Sequence, residues 1–166
     1  KNVGDFTGQV ANLKEGTKIF IDGPYGVFTE IFAVSPKVLL IAGGIGITPV
    51  RSLAEQLSKL KKDVVLLYSN RTEKDIVFKE ELQNIPDAKI THIISDDAGY
   101  AGEKGLSASF ETGRIDEEKI KRLVPDFAGR DIYICGPVPM MDSLIAMFKS
   151  LGVSPSRLHF EKFSLH

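Results

Sequence analysis

The chain has 166 residues and 43% apolar content, enough for one compact core and short of two domains of ordinary size. Lys plus Arg number 21 against 22 for Asp plus Glu, so no basic field is present to attract a nucleic acid. One cysteine excludes an internal disulfide and a cysteine-ligated iron–sulfur cluster, and no apolar run reaches the roughly 18 residues of a membrane-spanning helix.

In chain order, Gly4-Asp5-Phe6-Thr7 leads to Thr17 to Ile21, which reads as a short strand, and Asp22 to Gly26, which reads as a turn. Lys37 to Ala42 is a continuous apolar run of the kind found in strands covered on both faces. It runs directly into Gly43-Gly44-Ile45-Gly46-Ile47-Thr48-Pro49. Gly44 and Gly46 can take backbone angles other residues avoid and let a diphosphate approach the main chain, while the N–H groups opening the next helix point at the anion. Thr48 suits the cap of that helix and Pro49 its first position. Val50, Leu53, Leu57 and Leu60 then recur at helical spacing, and Val64 to Ser69 is a second buried strand.

Ile76 to Leu82 reads as a helix, Lys89 to Ser95 as the third strand, and Asp96 to Gly113 as a glycine-containing loop long enough to be functional. Glu117 to Val124 is helical. Ile132 to Cys135 is the fourth strand, ending in Cys135-Gly136-Pro137-Val138-Pro139-Met140 before a helix through Lys149, and Leu158 to Phe163 is the last strand. The alternation predicts an α/β, Rossmann-like parallel sheet of five strands in the order 3-2-1-4-5, flanked by helices. In that order the first and fourth strands border the point where the winding reverses, and ligands sit outside the carboxyl ends of strands there. A glycine turn alone also serves as a tight strand-to-helix connection, and Pro49 stands where the usual fingerprint has a third glycine. The second strand end, facing the first, makes the nucleotide reading specific.

At these residues the chain resembles the ferredoxin–NADP reductase superfamily in its nicotinamide-nucleotide half. Gly-Gly-x-Gly-x-Thr-Pro at 43 to 49, Cys-Gly-Pro at 135 to 137 with Met140 after it, and Asp22-Gly23-Pro24-Tyr25-Gly26-x-Phe28 all look like family motifs in the family's order. Asn70-Arg71-Thr72-Glu73-Lys74-Asp75-Ile76 is similar to the segment after the second strand in cytochrome b5 reductases. Gly4 to Thr7, with Lys14-Glu15-Gly16-Thr17, looks most like the flavin-domain end of ferric-reductase-like membrane proteins. The resemblance implies that residues 1–36 are the end of an FAD-binding barrel and residues 37–166 the NAD(P)-binding domain. It also implies that the rest of the barrel belongs in cis.

What the resemblance implies for single residues is as follows. Cys135 faces the nicotinamide, where a small polarizable side chain lets the ring stack on the flavin, and Glu161 polarises the reacting centre or relays protons. Gly43, Gly44, Gly46, Thr48, Pro49, Gly136, Pro137 and Met140 hold the nucleotide, Thr7 lies at the flavin phosphate, and Phe163 covers the flavin ring. Blander roles stand beside these: Cys135 as an inert core residue, Thr48 as a cap only, Phe160 and Phe163 as core. Ser69 and Arg71 bear on cofactor choice, since an Asp or Glu after the second strand suits NAD whereas a guanidinium suits the 2′-phosphate of NADP. Arg71 could equally stack on adenine or pair with Glu73. His92, His159 and His166 have no metal-ligand spacing.

The expected activity is transfer of hydride from NAD(P)H to FAD, with electrons passed on to a haem, an iron centre or a carrier protein. Two rivals are a non-catalytic module that senses nucleotide or docks an electron carrier, and a methyltransferase-like binder of another adenine nucleotide. The second shares Gly44-x-Gly46 but leaves Cys135-Gly136-Pro137 unexplained. The expected location is the cytoplasm, including the cytoplasmic domain of a membrane protein.

Overall fold

A computed structural model describes residues 5–10, 12–20, 28–96 and 109–161. A short helix, α1 (Asp5–Val10), precedes an alternating run: β1 (Lys37–Gly43), α2 (Ile47–Lys59), β2 (Asp63–Asn70), α3 (Lys79–Gln83), β3 (Ala88–Ile94) and β4 (Ser109–Thr112). It continues through α4 (Glu117–Leu123), β5 (Asp131–Cys135), α5 (Val138–Ser150) and β6 (Leu158–Phe160). All strand pairs are parallel, in the order β4-β3-β2-β1-β5-β6.

The apolar runs form strands because both faces of the sheet are covered. Leu40 lies opposite Leu66 and Tyr133 in register, and these residues pack with Val50, Leu53 and Leu57 of α2 on one face. Leu39, Ile41, Leu67 and Ile134 point the other way, into Ile120 of α4 and Leu144 and Phe148 of α5. At the amino ends of the strands Arg130, almost wholly buried, bonds to Asp63 and Asp126 and to the Val38 carbonyl. Residues 28–36 are pinned to the same body. Ser35 N–H donates to Asp131 Oδ2 at 2.6 Å, Lys62 Nζ donates to the Ala33 and Ser35 carbonyls, and Tyr133 Oη donates to the Thr29 carbonyl.

Three expectations are corrected. The sheet has six strands, not five, because Ser109-Phe110-Glu111-Thr112 pairs with the outer edge of β3. This alternating four-residue edge strand lacks the apolar run that marks the inner strands. The helix expected over 76–82 is α3 over Lys79–Gln83, preceded by a separate 3-10 turn at Glu73–Asp75 that Thr72 and Asp75 close reciprocally. Ile76 is extended and Phe78 has a positive φ of 58°, so the chain turns before the helix begins. Thr17 to Phe20 form no strand among the described residues, and Ile19 and Phe20 are exposed, since a strand exists only where a ladder partner lies alongside. Ile21, the turn at Asp22 to Gly26, and Phe163 lie outside the described residues.

Candidate functional site

The carboxyl ends of β1, β2 and β5 frame a cavity of about 680 Å³. Of the residues singled out in the sequence, Gly43, Gly44, Ser69, Arg71, Pro137 and Met140 line it. Thr48, Pro49, Cys135, Gly136 and Glu161 do not line it, Thr7 has no described side chain, and Phe163 lies outside the described residues.

The glycines divide by the reason each is needed. Gly44 has φ +50°, a left-handed conformation, and a Cβ built there meets nothing within 4 Å, so the backbone stands open to the cavity. Gly46 is buried, and a Cβ there would fall 2.5 Å from the Cys135 carbonyl carbon and 2.8 Å from the Gly136 nitrogen. It is a packing glycine that brings the start of α2 against the end of β5, not the open approach expected from the sequence. Gly43 and Gly136 serve the same closeness. A Cβ on Gly43 would lie 2.7 Å from Met140 Sδ, and one on Gly136 would lie 2.6 Å from Met140 Cε. The Met140 thioether thus fills the gap between the two strand ends and forms part of the cavity wall.

Helix α2 starts differently from expectation. A 3-10 turn at Gly44–Gly46 leads into it, Gly46 is its cap, and the Ile47 N–H bonds back into that turn. Thr48 Oγ1 donates to the Ile45 carbonyl at 3.0 Å instead of accepting from the helix, so Thr48 is no cap, and Pro49 holds the third helical position rather than the first.

Cys135 has no exposed surface and packs in the core layer with Leu40, Ala42 and Tyr133. Burial, with a smaller contribution from the Glu161 carboxylate, pushes its thiol up to about 11.

Charge at the cavity comes from Arg71, Arg114 and Asp75. Hydrogen bonds from Thr72, side chain first and then backbone, hold the Asp75 carboxyl below its usual range. Glu73 is engaged by Lys79 at 3.0 Å, which removes it as a partner for Arg71, and among the described residues neither Arg71 nor Arg114 makes an ion pair. Tyr68 and Asn70 also line the cavity, and the buried Tyr68 hydroxyl interacts with the Val77 backbone and the Asn70 side chain. Sequence reasoning missed Arg114, Ile115 and Ser95 in the lining. The signal was Gly113-Arg114-Ile115 just ahead of the Asp116 cap of α4, inside and beyond a segment that reads as loop.

The oxidoreductase NAD-binding domain family matches residues 40–145. The glycine betaine monooxygenase reductase subunit of Pseudomonas aeruginosa is 34% identical over 157 residues, covering 92% of this chain and 42% of the relative. NADH oxidoreductase HCR of Escherichia coli is 32% identical over 154 residues, covering 92% of this chain and 44% of the relative. The chain thus spans about two-fifths of the length of these curated relatives. The flavohem-like FAD/NAD-binding domain of nitric oxide dioxygenase from Vibrio cholerae superposes with a TM-score of 0.71 at 22% identity, covering 98% of this chain and 65% of that one. That likeness establishes the fold. Among the described residues, no helix is long and apolar enough to cross a membrane.

Proposed function

This chain belongs to the oxidoreductase NAD-binding domain family, and from that premise we propose that it is the nicotinamide-nucleotide part of a flavin-dependent NAD(P)H oxidoreductase. The observation that carries the reading is the cavity between the ends of β1 and β5, where the winding of the sheet reverses. The residues there fit such a ligand. Open main chain at Gly44 suits a diphosphate, guanidinia at Arg71 and Arg114 offer charge, and Tyr68 and Asn70 form a polar floor.

In this reading Gly43 and Gly44 cradle the diphosphate, while Ser69 and Arg71 take the adenosine end. Pro137 and Met140 form the opposite wall, and Gly46, Gly136, Thr48 and Pro49 hold the two strand ends at their spacing. Cys135 and Glu161 lie under the nicotinamide as positioning residues, since an enclosed, neutral thiol shapes the site without reacting. Residues 1–36 are the end of a flavin-binding part and 37–166 the nucleotide-binding part, with Thr7 and Phe163 on the flavin side. The extra length of the curated relatives supports a flavin domain in cis. Bound there, reduced nicotinamide would supply two electrons and a proton to FAD in that flavin-binding part, for single-electron delivery to a haem, iron or carrier-protein acceptor. A cytoplasmic setting goes with this reading, because its single thiol needs no oxidising compartment.

Titration of the protein with NAD+ and NADP+ by calorimetry tests the proposal. Saturable binding of at least one, lost in Gly44→Val, is expected. Absence of binding by a folded protein contradicts it.

A further inference from the structure

Tyr68, His92 and Phe110 stand side by side across β2, β3 and β4 as direct register partners. Their rings form a row: the centroids of Tyr68 and His92 lie 5.8 Å apart and those of His92 and Phe110 5.1 Å apart. One end of the row is the cavity, which Tyr68 lines, and the other is Phe110 of the edge strand, with Lys79 Nζ over its ring at 5.4 Å from the centroid. Lys79 in turn pairs with Glu73 at 3.0 Å. The segment from Glu73 to Lys79 is thus tied down at the far end of the row, while Asp75 and Val77 within it line the cavity. The Tyr68 hydroxyl interacts with the Val77 backbone, which joins the row to that segment at the cavity end.

In the middle of the row, His92 has no exposed surface, and neither Nδ1 nor Nε2 has a hydrogen-bond partner among the described residues, a place that packing alone would give to phenylalanine. The charged groups that act on it are Lys79 from α3 and Glu73 from the 3-10 turn, and on the neighbouring strands it meets the Tyr68 phenol and the Phe110 ring. Burial first, then the Lys79 charge, against an opposing pull from Glu73, lowers the imidazole to about 4 and keeps it neutral at physiological pH.

Resting on the reading of the cavity as the nucleotide site, we propose that His92 is a positioning residue for that site: its neutral ring keeps Tyr68 and the 73–79 segment in the arrangement that binds nucleotide, and a proton placed on it weakens binding. A new cation beside Lys79 has Glu73 to turn to, and Lys79 already holds that carboxylate. An imidazolium that takes Glu73 releases Lys79, and with it the tie on the segment; one that does not must be hydrated, which parts the row. In both cases Tyr68, Asp75 and Val77 shift from the places they hold in the lining. Binding and protonation oppose one another, so by linkage a bound nucleotide makes His92 harder to protonate.

The test is an acid titration of the His92 ring by NMR in wild type, free and saturated with whichever of NAD+ and NADP+ it binds more tightly. The nucleotide should lower the His92 midpoint by at least about half a pH unit, equivalent to roughly threefold weaker binding by the protonated protein. Lys79→Met removes the repelling charge and frees Glu73, so the His92 midpoint should rise. Calorimetry should then find affinity falling about twofold or more between about pH 7 and pH 5 in Lys79→Met, with a smaller fall in wild type. That fall should vanish in Lys79→Met/His92→Phe, which titrates the same nucleotide but lacks the imidazole. A bound nucleotide that leaves the His92 midpoint where it stands in the free protein, or a Lys79→Met fall that persists without the imidazole, overturns the assignment while leaving the nucleotide site standing. Failure of wild type to bind either nucleotide overturns the site reading and this inference with it.

Discussion

Replacing Gly46 by alanine separates two accounts of the glycine turn. If Gly46 were glycine to admit a ligand, one methyl group would cost affinity and little stability. The structure places that methyl 2.5 Å from the Cys135 carbonyl carbon and 2.8 Å from the Gly136 nitrogen, and both atoms belong to the main chain of a fully buried strand end. A flexible side chain could swing aside; β5 cannot, because Ala42 and Cys135 are locked in register. Overpacking costs about 1–3 kcal/mol, and backbone collision on both sides argues for the upper end, about 3 kcal/mol. For a chain of this length that lowers Tm by roughly 6–12 °C. Gly44→Ala is the control, since its methyl meets open space and only the left-handed φ opposes it, at about 1–2 kcal/mol. Scanning calorimetry on both variants reads the difference. A Gly46→Ala protein melting within a degree of wild type would refute the packing account of this turn.

Other predictions follow from the same geometry. Cys135, buried and pushed up to about 11, should resist Ellman's reagent in the folded protein at neutral pH and react fully only in denaturant; rapid native labelling contradicts the placement. Burial, followed by the charge of Lys79 and partly offset by Glu73, lowers His92 from 6.5 to about 4. Between those pH values the unfolded chain takes up a proton that the folded one refuses, so stability falls by up to about 3 kcal/mol as pH drops through that window. Urea titrations should find that loss reduced in His92→Phe, and an unchanged pH slope argues against it. Arg130→Ala removes the donor to the Val38 and Asp63 carbonyls while Asp126 keeps Lys37, so denaturant unfolding should register a loss of about 1–3 kcal/mol. A loss below about 1 kcal/mol would place the network among surface ion pairs.

The inner strands β1 and β2 were legible because they are buried on both faces and read as continuous apolar runs, and β3 and β5 followed from the alternation of strand and helix. Strand β4 was not, because Ser109 to Thr112 pairs on one side only and alternates, and such a segment looks like loop. With it went Arg114, whose place in the cavity follows from that pairing and from no local motif. The site's location was legible in two glycine-bearing strand ends, since topology fixes where they meet. Which glycine does what was not. Gly44 and Gly46 are equivalent letters in the sequence, and only the approach of β5 makes one a conformational and the other a packing requirement. Thr48 looks like a cap by residue type, yet the preceding 3-10 turn moves the helix start to Ile47, where its hydroxyl finds a carbonyl instead.

The central claim is that a nicotinamide nucleotide occupies the cavity between β1 and β5. Its most direct measurement is the amide NMR spectrum of the isotopically labelled protein titrated with NADP+. Shifts should concentrate at Gly43 to Ile45, Ser69 to Arg71, Arg114 and Met140, and leave the Arg130 end of the sheet unmoved. Saturable shifts that cluster anywhere else on the molecule, or none at millimolar nucleotide, would contradict the account.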